Sequence, residues 1–279
     1  MTRSDLPALV ADAQPRTADV AVADRRAPRD RTRAWVLRAA SIGAVCALWE
    51  LAGAIPVSIA FPRFTATAAA FVEMVVDGSF AAAYAQTIPP LLVGLVLTGL
   101  GGVLAGIVMG LSPKAEWLGL PVFIIAQTAP SAAIVPLITF VYGIGFAAKV
   151  LAVVLLSAPV IVINCYRGMS NTPRLLLEMS NAFLASRTQR VWKIVLPSAS
   201  GLIFAGLRLG AAQGFTGIVL AELLITPTGV GDLITYHRSL AEYDHMFATI
   251  LSIVIFASVS ITSLQLIEQR VFRPEMRAA

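Results

Sequence analysis

Residues 178–210 read EMSNAFLASRTQRVWKIVLPSASGLIFAGLRLG and form the longest polar break in an otherwise apolar chain. Apolar segments of membrane-spanning length lie on both sides of this break. Helical spacing puts four apolar residues on one side of it and three basic residues on the other: Phe183, Val191, Ile194 and Val195 against Arg187, Arg190 and Lys193. Leu196-Pro197 predicts a helix stop. We therefore predict an amphipathic loop that rests on a membrane domain and offers its polar face to a soluble partner.

The composition is that of an integral membrane protein. Of the 279 residues, 57% are hydrophobic and 13% charged, whereas a soluble domain has about 25% charged residues. The net charge of +5 allows nucleic-acid binding in principle, but the basic residues are sorted by side of the membrane, and this sorting excludes that class. Cys46 and Cys165 lie in apolar runs, which indicates neither a disulfide nor a thiolate metal site.

Six apolar segments reach the ~20 residues that a bilayer core requires, so the expected fold is all-α with about six transmembrane helices. The segments are Trp35–Val57, Ile88–Leu111, Leu118–Tyr142, Ala147–Tyr166, Leu202–Leu224 and Met246–Ile267. Residues 1–34 have no sustained apolar period and predict a disordered cytoplasmic tail, which leaves 35–279 as the membrane domain. Short helices are predicted outside the spans at Ala66–Val76 and Asp232–Tyr243. Glycines in the second segment predict close helix packing: Gly94, Gly99, Gly101, Gly102, Gly106 and Gly110.

The distribution of Lys and Arg predicts the orientation. Eighteen of the 21 basic residues fall in the N-terminal tail with Arg38, the Lys114 loop, the region 167–208 and the C-terminal segment. The opposite side holds Arg63, Lys149 and Arg238. The positive-inside rule therefore places both termini and the 178–210 loop in the cytoplasm.

Polar residues inside the spans are candidates for a translocation pathway. Gln127 and Thr128 precede Pro130 in the third segment, where proline is expected to break the helix. A broken helix at membrane depth must be buried or line a cavity. We therefore nominate Gln127, Thr128 and Pro130, together with Gln213, as pathway residues, and interhelical hydrogen bonding is the alternative.

Two carboxylates in the spans need a protein or water environment. A carboxylate at the centre of a membrane helix costs roughly 2.5 to 3.5 kcal/mol on insertion scales. We therefore expect Glu222 to face protein or water, and we count it with the pathway. Glu50, beside Trp49, is expected to anchor its helix at the membrane interface.

The sequence offers no catalytic constellation. It lacks the GxxxxGK[ST] loop that cradles the phosphates of ATP. No serine has histidine and acidic partners in the same layer, which argues against a hydrolase triad. His237 and His245 are eight residues apart with no cysteine nearby, so we expect surface histidines and no metal site. The sequence therefore predicts a membrane transport protein and not an enzyme.

The 178–210 stretch resembles the EAA loop with which ABC-importer permeases contact their ATPase. The resemblance rests on Glu178, on Ala205-Gly206-Leu207-Arg208, and on the residues that it marks for ATPase coupling, which are Glu178, Ala182, Phe183, Ala185, Ser186, Arg187, Leu196 and Pro197. It implies a cytoplasmic coupling loop over about 168–200, with Glu178 near the N-terminus of the coupling helix. The sequence departs from the motif at Met179, Ser180, Leu184 and Gly201.

Further stretches are similar to the nitrate, sulfonate and taurine branch of these permeases. They are Trp49-Glu50, PSAAIVPLITFVYGIG at 130–145, Lys149, and IVLAELLITPTGVG at 218–231. Phe146 departs from the branch, which often has Glu there. The outer loop, with Gly229, Gly231 and Asp232, would form a gate beneath a binding protein; a solvated loop is the alternative.

The resemblance implies a type I, methionine-importer-like permease in a bacterial inner membrane that works by alternating access. Its partners would be a cytoplasmic ATP-binding subunit, which holds ATP and Mg²⁺, a periplasmic solute-binding protein, and a second permease copy, identical or not. Its cargo would be a small anion of the sulfonate, nitrate or aromatic carboxylate type. A cationic pyrimidine is the alternative cargo.

The rival hypothesis is an ion-coupled secondary transporter or a channel. Such a protein is expected to carry paired ionisable groups at mid-membrane or inverted repeats. We find neither in the sequence, and neither rival requires the 178–197 loop.

Overall fold

The computed structural model describes residues 27–55, 60–225 and 227–272, and within these ranges it contains helices and no strand. The predicted all-α class is confirmed. The helices are α1 (Ala27–Ala54), α2 (Phe64–Val76), α3 (Ser79–Leu111), α4 (Pro113–Thr128), α5 (Ser131–Tyr142), α6 (Phe146–Ser170), α7 (Arg174–Ala182), α8 (Arg187–Arg190), α9 (Leu196–Leu224), α10 (Val230–Ser239) and α11 (Tyr243–Phe272). A π-helical turn, Val191–Val195, joins α8 to α9.

The chain divides into two compact units, residues 1–65 and 66–279. In the first unit, the Trp49 indole donates to the Pro62 carbonyl at 3.1 Å. The Glu50 carboxylate, predicted as an interfacial anchor, accepts hydrogen bonds from the backbone N–H of Thr65 at 2.9 Å and from its hydroxyl at 3.1 Å. Because α1 begins at Ala27, it overlaps the predicted 1–34 tail; alanine and arginine favour helix here. Residues 1–26 lie outside the described residues.

Within the described ranges, five helical stretches are long and apolar enough to cross a membrane: Trp35–Ala54, Ser79–Leu111, Phe146–Ser170, Arg187–Leu224 and Tyr243–Leu266. The sixth predicted segment, Leu118–Tyr142, is the helix pair α4 and α5, bent by 106°. The number is six when this pair counts as one span. The expectation of about six apolar helices is therefore confirmed.

The break between α4 and α5 occurs at Pro130, as predicted. Ala129 has the extended conformation, with ψ 138°, because the ring of a following proline disfavours helical geometry in the preceding residue. Pro121 and Pro136, in contrast, stay inside their helices.

Helix α6 is the centre of the second unit and packs against α3 and α9. Near its C-terminal end, Ile161, Cys165 and Met169 form an apolar cluster with Val195, Ala199 and Ile203. Nearer its N-terminal end, Val153 lies among Leu91, Phe215 and Ile218. Helix α6 therefore packs against α3 and α9 through one cluster near each of its ends.

Glycines on α3 and α9 allow the backbones to approach α6 closely. A Cβ built on Gly106 would lie 2.5 Å from Cβ of Cys165 and 2.8 Å from the Val162 carbonyl oxygen. A Cβ on Gly210 would lie 2.3 Å from the Ile161 side chain. The predicted close packing is confirmed for Gly94, Gly102, Gly106 and Gly110, whereas a Cβ on Gly101 would meet nothing within 4 Å and one on Gly99 would make an ordinary contact.

The predicted helix stop at Leu196-Pro197 is wrong, because helical structure continues from Arg187 to Leu224. In the π-helical turn before the proline, Leu196 N–H donates to the Val191 carbonyl five residues back. Such a wider turn shifts the hydrogen-bond register. The proline, which has no N–H, is therefore accommodated at the start of α9 without ending the helix.

Two short helices outside the spans also match the sequence analysis. α2 at Phe64–Val76 confirms the helix predicted at Ala66–Val76. α10 is the helix predicted at Asp232–Tyr243, but it runs from Val230 to Ser239. It ends early because Ala241 adopts a left-handed conformation (φ 60°), and its N–H bonds the Arg238 carbonyl. α2, α10 and α11 contact one another through Met74, Leu233 and Ala248.

We predict that Gly106→Ala destabilises the protein by about 1–3 kcal/mol, because the added methyl group overpacks the α3–α6 contact. The measurement is the thermal unfolding midpoint of the detergent-solubilised protein, which should fall by several degrees. The matched control is Gly101→Ala on the same helix, which should not lower the midpoint. Equal midpoints for the two variants would contradict the packing assignment.

Candidate functional site

Helix α7 is attached to the membrane core by one face and exposed on the other. Leu177 packs against the Ile161 cluster, and Ser180 is buried with its hydroxyl bonded to the Leu177 carbonyl. The opposite face and the following turn carry exposed side chains, which we call the loop surface: Leu175, Glu178, Met179, Phe183 and Leu184. This surface combines one carboxylate with four large apolar groups.

The turn after α7 has a fixed backbone. Ala185 N–H donates to the Ser180 carbonyl at 2.9 Å and Leu184 N–H to the Asn181 carbonyl at 3.0 Å, a Schellman motif. Leu184 takes its left-handed position, with φ 54°, at roughly 1–2 kcal/mol relative to glycine. The sequence departure at Leu184 therefore falls where glycine is favoured. Ser186 then starts α8 with a capping box to Gln189.

The structure corrects two predictions about the loop. Phe183 does not share a face with Val191, Ile194 and Val195, because the helix is interrupted at residues 183–186; its side chain is 80% exposed. Glu178 lies in the middle of α7 and not near the helix N-terminus.

The other residues marked for coupling occupy different environments. Ala182, Ser186 and Arg187 are exposed, and Ala185 is half-buried in the turn. Leu196 packs against the Ile161 cluster, and Pro197 is exposed at the start of α9. Leu196 and Pro197 therefore belong to the helix that follows the loop and not to the loop surface.

Gln127 and Gln213 line the same cavity, of about 220 Å³, beside the α4–α5 break. The other lining residues are Ala126, Ala129, Ile134, Leu155, Leu156, Val160 and Thr216. None of these lining side chains is charged, and the two amides supply both donors and acceptors. The Thr128 hydroxyl instead bonds the Ile125 carbonyl, and neither Thr128 nor Pro130 is among the lining residues. Pro130 sets the bend.

Glu222 does not line this cavity but is buried in a polar cluster. Its carboxylate lies 2.8 Å from Lys149 Nζ and accepts hydrogen bonds from the Thr87 hydroxyl at 2.8 Å and from Gly231 N–H at 3.0 Å. Lys149 also donates to the Thr228 carbonyl at 3.0 Å. We call these residues the Glu222 network. Glu222 therefore faces protein, one of the two environments expected for it.

The Glu222 network includes the glycine turn predicted as a gate. Val230 N–H donates to the Thr87 hydroxyl at 3.1 Å. Gly229 has φ 95°, and a Cβ built there would lie 2.1 Å from a Glu222 carboxylate oxygen, so a side chain at this position would collide with the carboxylate. Asp232 follows in the first turn of α10, half-buried and outside these hydrogen bonds.

Sequence reasoning missed the ion pair between Lys149 and Glu222. The two residues lie in different predicted spans, and only tertiary packing brings them together. The pair joins the start of α6 to the end of α9, so it is not central in either helix. The available signal was the presence of one charge of each sign in otherwise apolar segments.

The histidines predicted to be surface residues come together instead. His237 is buried, and its ring stacks on that of His245 with centroids 5.1 Å apart. His237 Nδ1 lies 2.8 Å from a Glu242 carboxylate oxygen. The α10–α11 hairpin and the turn inside it place the three residues together.

Comparison with known proteins agrees with this architecture. Residues 99–273 match the family described as binding-protein-dependent transport system inner membrane component. The chain is 24% identical over 255 residues to the putative aliphatic sulfonates transport permease protein SsuC of Bacillus subtilis, covering 91% of this chain and 92% of the relative. It is 27% identical over 186 residues to the taurine transport system permease protein TauC of Escherichia coli, covering 67% and 68%.

The fold is similar to a solved structure titled as inward-facing conformations of the MetNI methionine ABC transporter. The TM-score is 0.54 at 16% sequence identity, and the match covers 69% of this chain and 95% of the other. This likeness confirms the type I importer fold. The family match spans more than half of the chain. The chain therefore belongs to the binding-protein-dependent inner-membrane transport components, as a multi-pass permease subunit of an ABC importer.

Proposed function

We propose that two copies of this chain form the pathway by which a small anionic solute enters the cytoplasm through alternating access. One observation carries the proposal: the helical stretch Arg187–Leu224 runs without interruption from the loop surface, past the cavity, to the Glu222 network. A helix rises about 1.5 Å per residue, so this stretch is about 57 Å long. A continuous helix of this length can transmit a displacement from one of its ends to the other.

The loop surface is suited to a protein partner. Phe183 and Leu184 are 80% and 91% exposed, and a cluster of exposed apolar side chains around a carboxylate is typical of a docking site. The surrounding backbone is fixed by the Schellman motif and the capping box. ABC permeases act with an ATP-binding subunit, and we assign its contact to this surface. The positive-inside rule, which puts this loop and both termini in the cytoplasm, supports the assignment.

The helical stretch Arg187–Leu224 also contains two of the residues that we assign to transport. Gln213 lines the cavity from α9, opposite Gln127 on α4. Glu222, about two and a half helical turns further, accepts a hydrogen bond from the glycine turn at the start of α10. A tilt of α9 driven by the ATP-binding subunit would therefore change the cavity and the Glu222 network together. We assign the glycine turn with Gly229, Gly231 and Asp232 as the outer gate beneath a solute-binding protein.

The cavity is suited to binding the cargo through hydrogen bonds from uncharged side chains. Amide N–H groups from Gln127 and Gln213 can donate to the oxygens of a sulfonate, nitrate or carboxylate group. Relatives named for aliphatic sulfonates and taurine support the sulfonate class first. We expect a second copy of the chain to complete the pathway.

We predict that Glu178→Lys lowers recovery of the ATP-binding subunit by about tenfold or more, since a reversed charge at a docked carboxylate costs over about 1.4 kcal/mol. The measurement is co-purification of that subunit with the tagged chain in mild detergent. Lys114→Glu, a charge reversal at another exposed position of the predicted cytoplasmic side, serves as the matched control and should retain the subunit. Unchanged recovery with Glu178→Lys, or loss of the folded chain from the membrane, would refute the assignment.

We predict that Glu222→Leu destabilises the protein by about 3–5 kcal/mol, because it leaves the Lys149 ammonium buried without its counter-charge. The double variant Lys149→Met/Glu222→Leu should recover much of that loss. The measurement is a double-mutant cycle on thermal unfolding in detergent. Additive losses in the double variant would show that the pair is not coupled.

We predict that a host strain lacking this chain fails to grow with an alkanesulfonate as its only sulfur source but grows on sulfate. Plasmid-borne wild type should restore growth. Nitrate as the only nitrogen source and an aromatic carboxylate as the only carbon source are tested in parallel. Growth of the deletion strain on all three cargo classes would overturn the proposed cargo while leaving the permease assignment intact.

A further inference from the structure

The α10–α11 hairpin brings two imidazoles and a carboxylate to one point. One ligating atom from each of His237, Glu242 and His245 lies within 4.8 Å of the others. His237 belongs to the last turn of α10, Glu242 to the connection and His245 to the first turn of α11. None of these residues takes part in the Glu222 network, the cavity or the loop surface.

The backbone of the hairpin fixes these side chains. Glu242 N–H donates to the His237 carbonyl at 2.9 Å and Ala241 N–H to the Arg238 carbonyl at 3.2 Å, which is again a Schellman motif. Ala241, with φ 60°, takes its left-handed position. The motif reverses the chain so that Glu242 returns beside the histidine five residues earlier.

A second helix adds a fourth possible ligand. Glu73 on α2 places a carboxylate oxygen 3.5 Å from His245 Nε2. The core that holds α2 against α11 lies directly beyond it, with Met74 and Ala70 of α2 against Ala248 of α11. Thr249 points its hydroxyl at the Met74 sulfur at 4.0 Å. The relative positions of Glu73 and His245 are therefore set by packing.

A third carboxylate adds negative charge to the region. Asp77 follows α2, and its carboxylate accepts a hydrogen bond from the backbone N–H of Ser79 at 2.8 Å, which lowers its pKa. The site therefore holds two imidazoles with carboxylates on two sides. This balance suits a divalent cation.

The ligand chemistry selects the metal class. Imidazole nitrogen and carboxylate oxygen bind Zn²⁺ at about 2.0–2.2 Å in tetrahedral sites, which places the ligand atoms roughly 3.3–3.6 Å from one another. The 2.8 Å and 3.5 Å contacts bracket the lower part of this spacing, and the atoms of His237, Glu242 and His245 all lie within 4.8 Å of one another, so the side chains would draw together around the ion. Mg²⁺ and Ca²⁺ prefer all-oxygen sites and are disfavoured.

We propose that His237, Glu242 and His245, with Glu73 as the fourth ligand, form a Zn²⁺ site that ties α10 to α11 and α2. The other end of α10 is held by the Glu222 network through Gly231. A metal at the histidine cluster would therefore fix the second end of the helix that follows the glycine turn. The site does not depend on the cargo or on the ATPase contact. The alternative to a metal site is that the His237–Glu242 hydrogen bond only stabilises the hairpin.

The test is Zn²⁺ binding to the full-length chain, purified with its partner subunits through a histidine-free tag and stripped with a chelator. Isothermal titration with ZnCl₂ should show about one Zn²⁺ per chain at the micromolar level or tighter, and the unfolding midpoint should rise with Zn²⁺ but not with Mg²⁺. His245→Asn should weaken binding by about tenfold or more. Asp244→Asn, which removes the neighbouring carboxylate outside the cluster, should bind as the wild type.

Two results would overturn the proposal. One is a wild-type chain that takes up no Zn²⁺ and shows no rise in the midpoint. The other is equal Zn²⁺ affinity in the wild type and in His245→Asn, which would place the metal elsewhere, for example on Cys46. Glu73→Gln, at an exposed position where folding should be unaffected, gives a second variant whose affinity should fall, so the outcome does not depend on one substitution.

Discussion

The close approach of α6 to α3 and α9 is the constraint on which the second unit depends. Between helices in lipid there is little hydrophobic driving force, so van der Waals contact between closely spaced backbones must supply the stability. Gly106 and Gly210 provide that contact on the two sides of α6. Larger residues there would separate the helices and with them the two partners of the ion pair, Lys149 on α6 and Glu222 on α9. The buried ion pair therefore depends on the close packing of these helices.

The Glu222 network shows how a charged cluster persists inside an apolar core. Each oxygen of the carboxylate has a partner: Lys149 and Thr87 at one, Gly231 N–H at the other. Such a network is stable only when all its members are paired. Movement of the glycine turn would remove at least one partner and leave a costly unpaired charge. The network therefore opposes movement of the glycine turn, so the proposed gate can open only if the Glu222 carboxylate finds new partners.

The spans, their order and the break at Pro130 could be predicted because apolar length and proline act locally. The exposed loop could be found because its polarity contrasts with its surroundings. The ion pair of Lys149 with Glu222 and the meeting of His237 with His245 could not be predicted, because each depends on tertiary packing. The supposed stop at Pro197 failed for another reason: the π-helical turn that accommodates the proline has no simple sequence signal. The placement of Phe183 failed because a helical wheel assumes a helix without a turn.

The loop surface is, in our proposal, the contact for the ATP-binding subunit. The most direct measurement is photocrosslinking in intact cells with a benzophenone amino acid in place of Phe183, followed by mass spectrometry of the adduct. We expect an adduct with an ATP-binding protein, and we expect less of it when Glu178 is replaced by Lys. Adducts with lipid or with the chain itself alone, from a folded and membrane-inserted protein, would contradict it.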